Sequence, residues 1–188
     1  MTVLKPNITL RGARPFTVHT GLTLVESEDE RVALSVFDVL RDDAQSERAD
    51  TRASVYWERQ IERHDNAQPA RTWLAERRLR YPRWNKALED DLVEALGLTD
   101  HIEKPVFMLS MGSARKLNLI GAFAGGADCN CLETPFAALD ARSCEIVAEL
   151  LKEAAAHPTR AWLMFDFSMP DQMSGIHPIN CIRLPRDR

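Results

Sequence analysis

What most constrains the fold of this chain is a change of hydrophobic period at Pro105. From about residue 27 to 97, apolar residues recur at helical spacing among dense charge. After Pro105 the sequence gathers into short apolar runs, PVFMLSM, KLNLIGAFA, RAWLMFDF and INCIRL, which read as buried strands. PVFMLSM and KLNLIGAFA are joined by Gly112-Ser-Ala-Arg, a turn-like link that predicts a buried hairpin.

Two alternating stretches open the chain, ITL at 8–10 and FTVHTGLTLV from Phe16 to Val25, and suit a hairpin that turns between Gly12 and Pro15. Ser27-Glu-Asp-Glu30 has the form of a capping box, and Ala33, Val36, Phe37, Leu40 and Ala44 continue it as an amphipathic helix. Further helices are predicted over 52–64, from Pro69 to before Pro82, and from Lys86 to a left-handed cap at Gly97. Asp140 caps a helix carrying Cys144, Val147, Leu150, Leu151 and Ala154, which His157-Pro158 ends. SMPDQMSGIHP then separates the last two strands. The order predicts an α+β fold: a mostly antiparallel sheet of about six strands, a helical middle, and one helix between the C-terminal hairpins. One globular domain over 1–188 is expected, with 27–97 as its charge-patterned helical part.

Composition narrows the class. At 188 residues, with 45% hydrophobic and 28% charged residues, the chain can bury about 70% of its unfolded surface without disulfides or metal. Its net charge of −4 argues against wholesale coating of nucleic acid or anionic membrane. No apolar run reaches the roughly 18 residues of a membrane span. The first residues show no apolar signal region, so the expected compartment is cytoplasmic and the four cysteines are expected to be reduced.

Motif spacing yields little chemistry. GGADCNC at 125–131 places Cys129 and Cys131 one residue apart, but a structural zinc site wants a second such pair, and the chain has none. Packing or a turn is the favoured reading, with a thiol site at Cys129 and Cys131 as the sharper alternative; no metal and no cofactor are expected. Gly125-Gly126 lies outside any GxxxxGK[ST] or GxGxxG spacing. Ser113-Ala-Arg-Lys116 matches SxxK, yet that chemistry needs a helix and the segment reads as a hairpin turn. The histidines at 19, 64, 101, 157 and 177 show no ligand or catalytic spacing, so the enzyme question stays open.

Charge is the strongest local signal. Residues 26–50 hold nine acids and three bases, 52–86 four acids and nine bases, and 89–104 six acids and one base. Within 71–86, Arg71, Arg77, Arg78, Arg80, Arg83 and Lys86 interleave with Trp73, Tyr81 and Trp84. Ion pairing with the flanking acids on a solvated face explains this blandly. The sharper expectation is a small cytosolic protein-binding or regulatory protein of immunity, adaptor or accessory type. It would contact a protein partner or a second copy through Arg77, Arg80, Tyr81, Arg83 and Trp84. The alternatives are a nucleic-acid binder using 71–86 and a thiol-dependent enzyme using Cys129 or Cys131.

Overall fold

The computed structural model describes residues 7–8, 16–27, 35–36, 38–40, 54–57 and 67–184. The chain divides into two compact units. One comprises Met1–Trp57, Ala127–Thr134 and Leu151–Arg188, the other Glu58–Gly126 and Pro135–Leu150.

The first unit is built on a five-stranded sheet of β3 (Gly21–Glu26), β4 (Val55–Tyr56), β5 (Cys129–Glu133), β6 (Ala161–Asp166) and β7 (Asn180–Arg183). Their spatial order is β4-β5-β6-β3-β7, and every pairing is parallel. Leu24 sits between Met164 on one side and Cys181 on the other. The predicted antiparallel α+β sheet of about six strands is therefore corrected to a parallel α/β sheet. Between β6 and β7 the chain crosses over β3 through Phe167–Ile179, where a hairpin was expected. Strands that run parallel need a connection of about a dozen residues or more, and this segment is long enough to make one. A separate two-stranded antiparallel ladder pairs β1 (Asn7–Ile8) with β2 (Phe16–Thr17). The opening hairpin thus exists in a smaller form, while its predicted turn at Gly12 to Pro15 lies outside the described residues.

The three central strands are buried along nearly their whole length. Such strands read as continuous apolar runs because both faces of a parallel sheet are covered. Val18, Val25, Cys129, Cys131, Ala161, Leu163 and Phe165 form one cluster with Val36 and Leu40. Residues 35–36 and 38–40 are helical (α1), which agrees with the stripe read through Val36 and Leu40. The capping-box residues Glu28, Asp29 and Glu30 lie outside the described residues. Val55 and Tyr56, expected in a helix over 52–64, form edge strand β4; residues 58–66 are not described.

The second unit is helical. α2 (Ala70–Arg80) follows Pro69, buries Trp73 and Leu74, and ends before Pro82. α3 (Lys86–Ala95) is capped by Asn85, whose side chain accepts from Leu88 N, and Gly97 follows it at φ 69°. α4 (Met111–Ala124) replaces the predicted hairpin. Its N-cap Ser110 accepts a hydrogen bond from Ser113 N at 3.0 Å, and Leu117, Leu119, Ile120, Ala122 and Phe123 are all buried. A helix apolar on most sides carries no amphipathic stripe, so its sequence resembles a strand pair. PVFMLSM contributes a short 3-10 turn, Val106–Met108, and then the Ser110 cap and Met111 that begin α4. α5 (Ala141–Ala155), which belongs to this unit as far as Leu150, is the helix predicted from Asp140, whose side chain accepts from Ser143 N at 2.9 Å.

Candidate functional site at the carboxyl edge of the sheet

Open parallel sheets bind ligands beyond the carboxyl ends of their strands. Here those ends bring together Glu133 of β5, Asp166 of β6, Glu26 of β3 and Arg183 of β7. Glu26 lies in register with both Asp166 and Arg183. Its carboxylate is mostly buried and accepts from Arg183 Nε at 2.5 Å, and this contact raises the pKa of the exposed guanidinium. Asp166 Oδ1 accepts from Phe167 N at 2.8 Å. Thr134 follows Glu133 at φ 38°, a left-handed conformation that a β-branched residue rarely adopts, and its amide donates to Phe165 O at 2.8 Å. Beyond β6, Phe167 and Met169 are exposed. Among the described residues, no three His, Cys, Asp or Glu side chains converge as a cation site.

The site residues read from sequence lie elsewhere. Cys129 and Cys131 alternate along β5 on one face of the sheet and are buried in the cluster around Leu163. Burial, then the neighbouring Cys129, pushes the Cys131 thiol well above the ordinary range. A thiol so raised has little thiolate to offer as nucleophile or ligand. GGADCNC is thus the lead-in to a buried strand. The two aromatic anchors of the basic stretch are likewise committed to the fold. Arg77 lies 3.6 Å over the Trp73 ring, donates to Trp73 O at 3.3 Å and pairs with Glu76 at 3.4 Å. Trp84 Nε1 donates at 2.7 Å to Glu89, a buried carboxylate that also takes Arg78 at 3.2 Å. Tyr81 stacks at a tilt against Trp84, with ring centroids 6.5 Å apart. Arg80 and Arg83 are exposed, as is Leu79 beside them. Flanking acids also take Arg71, through Glu103, and Lys86, through Asp90.

Ser113 and Lys116 now stand on a helix, as SxxK chemistry requires. However, Lys116 Nζ donates to Asp140 at 2.6 Å and to Leu96 O at 3.0 Å. Lys116, and then Ser143, hold Asp140 well below the usual carboxylate range. An ammonium held by a carboxylate cannot deprotonate a serine, so this network ties α4 to the cap of α5. It is a structural tie.

No known protein family matches the sequence, and no curated protein matches it. Solved structures do. A Pyrococcus furiosus protein assigned as an ABC transporter (ATP-binding protein) has 13% identity over 92% of this chain and 90% of its own, with a TM-score of 0.65. A protein assigned as a metal-chelate type ABC transporter, in an inward-facing conformation, has 17% identity over 86% and 68%, with a TM-score of 0.63. An archaeal ribosome recycling factor, solved in complex with a ribosomal stalk protein, has 15% identity, covering 82% of this chain but 30% of its own, with a TM-score of 0.61. The chain has the fold of ABC ATP-binding domains. This overturns the small immunity-type, adaptor or accessory protein read from the charge pattern, and supports neither the nucleic-acid binder nor the thiol-dependent enzyme. Among the described residues, no helix is long and apolar enough to cross a membrane.

That fold class implies a nucleoside triphosphate, and the donor set can be tested for it. In a P-loop, glycines between a strand and a helix let backbone N–H groups wrap the phosphates, and a Lys-Ser/Thr pair at the helix start reaches the outer phosphates and the metal. In this chain β3 ends at Glu26 and α1 includes residue 35. Between them the sequence reads Ser27-Glu-Asp-Glu-Arg-Val-Ala-Leu-Ser35. It has no glycine, no lysine, and three successive acids that would repel phosphate. The residues do not fit a triphosphate at this position.

Proposed function

We propose that this chain is an ABC-type domain that works within a protein assembly and does not turn nucleotide over. The similarity in fold over nearly the whole chain supports the domain class. The observation that carries the second half is the segment from Ser27 to Ser35, which joins β3 to α1 with carboxylates where phosphate binding needs glycine amides and a lysine. Thr134 adds to it. Where β5 ends, Glu133 is followed not by a second carboxylate but by Thr134, a hydroxyl residue held in a strained conformation.

The test uses the purified chain with MgATP. No hydrolysis above background is expected, and no saturable binding tighter than about 1 mM, or about −4 kcal/mol. Turnover that Glu133→Gln abolishes would overturn the reading. For the assembly we propose the exposed end of α2 as a contact. There Leu79, at 88% exposure, stands with Arg80 and Arg83, while Arg77, Tyr81 and Trp84 hold the segment in shape. Arginine is enriched at interface hot spots, and an exposed leucine beside it gains apolar burial when a partner covers it. Leu79→Ser with Arg83→Glu should remove the partner, or dissociate a self-assembled chain on a sizing column, without changing the circular dichroism spectrum. An unchanged assembly would move the contact elsewhere.

A further inference from the structure

We propose that the turn from His157 to Arg160 is an acid-sensitive latch: the neutral imidazole holds the amino ends of β3 and β6 together, and its protonation releases them. His157 Nδ1 accepts from two backbone amides, Arg160 N at 3.1 Å and Thr159 N at 3.3 Å. The same peptide reaches further into the sheet, because Arg160 O accepts from Gly21 N at 2.8 Å, at the first residue of β3. The Arg160 side chain extends the tie. Its Nε donates to Ala127 O at 2.9 Å, ahead of β5, and its guanidinium lies 4.9 Å from the centre of the Trp162 ring. One ring nitrogen therefore sets the peptide from which three strand starts are held.

A protonated imidazole carries hydrogen on both nitrogens and accepts nothing. It would turn a donor toward two donors and add a second positive charge beside Arg160. Burial, then Arg160, keeps the imidazole pKa below its ordinary value of 6.5. Arg160 is the charge that acts on the ring. Asp128, ahead of β5, is taken up by Ser54, and Lys152 and Glu153 near the end of α5 are exposed. Because the folded pKa is depressed, the latch is whole above the unfolded value and is lost as pH falls through that value toward the folded one.

The experiment is amide hydrogen exchange by NMR on the intact chain, referred to intrinsic rates, alongside titration of the imidazole resonances. Between pH 7.5 and 5, protection at Gly21, Thr159 and Arg160 should fall about ten-fold, the scale of one to two net hydrogen bonds, with the midpoint of the His157 resonance. His157→Asn keeps an acceptor without a titrating group, so it should hold protection constant across that range. His157→Ala should show low protection at every pH. Protection at these three amides that does not change while His157 titrates would overturn the latch, and so would a fall that persists unchanged in His157→Asn.

Discussion

At the amino edge of the parallel sheet short polar ties link the segments that lead into neighbouring strands, whereas at the carboxyl edge acidic side chains stand beside exposed apolar ones. Ser54 N and Oγ both donate to Asp128 Oδ2 at 2.8 Å, and Asp128 N donates back to Ser54 Oγ at 3.1 Å. Asn130, wholly buried, donates to Ala127 O at 3.3 Å, and Arg160 and His157 add the ties described above. At the other edge stand Glu133, Asp166, a strained Thr134, and exposed Phe167 and Met169. The amino edge is tied across strands, while the carboxyl edge adds exposed apolar surface at Phe167 and Met169. Functional residues gather at carboxyl ends because the connections there vary without disturbing the sheet.

The most damaging test of this contrast is Gly21→Ala. Gly21 has φ 90°, and a Cβ there would lie 2.7 Å from Ala155 O at the end of α5. Backbone strain of about 1–3 kcal/mol is joined by a clash with main chain that cannot rotate away. We expect a loss of about 3 kcal/mol, read from the urea midpoint. A loss under about 1 kcal/mol would show that the amino edge yields, and the contrast would fail.

Asp128→Ala should come next, at about 2 kcal/mol, because it strands the Ser54 amide and hydroxyl in a partly buried place. The damage should be local to β4, whose Val55 and Tyr56 pair with Cys129 and Asn130. Exchange at the β4 amides should therefore rise more than exchange at β6. Equal increases in both strands would mean that Asp128 acts on the sheet as a whole.

These two positions also show what the sequence made legible. The helix from Asp140, the Pro69 start and the Lys86 to Gly97 span follow from capping and turn chemistry, and the strands over Ala161–Asp166 and Asn180–Arg183 from short apolar runs, signals that act within a few residues. Parallel order does not. It depends on Leu24 lying between Met164 and Cys181, partners about 140 and 157 residues away in sequence, and no local pattern reports that. The apolar helix α4 reads as a strand pair for a related reason: apolar residues on most of its sides erase the period that separates helix from strand. A signal for the correct fold was present in AWLMF, a short run with no polar alternation, whereas Thr23 and Asn130 make LTLV and CNCL look half-exposed although both residues are buried. The carboxyl edge was invisible because Glu26, Glu133 and Asp166 meet only through that topology. Arg77 and Trp84 drew attention instead, since basic and aromatic residues look alike in sequence whether they pair with a neighbour or with a partner.

Thr134→Gly probes the carboxyl edge in the opposite direction. Glycine tolerates φ 38° without a Cβ penalty but has more freedom to lose on folding, so a net gain of about 1 kcal/mol is expected. A stabilising substitution at one edge, beside costly ones at the other, is what a site specified for contact rather than stability should give. Destabilisation would show that the threonine side chain is held by its surroundings more strongly than its backbone is strained.

The smallest expected effect is Phe167→Ser. Phe167 is 58% exposed just past the end of β6, so little apolar surface returns to water when the ring is removed. Its backbone amide, which bonds to Asp166 Oδ1, is untouched by the change, and serine is comfortable in such a bend. Stability should stay within about 0.5 kcal/mol of the parent, the range of surface substitutions that break no packing. The value of the measurement lies in its pairing with assembly. An aromatic ring this exposed contributes little to the isolated chain, so a loss of partner binding at unchanged stability would assign the carboxyl edge, in place of Leu79 and Arg83, as the contact. A loss of more than about 1.5 kcal/mol would place the ring in packing, and the carboxyl edge would then be as fully specified as the amino edge.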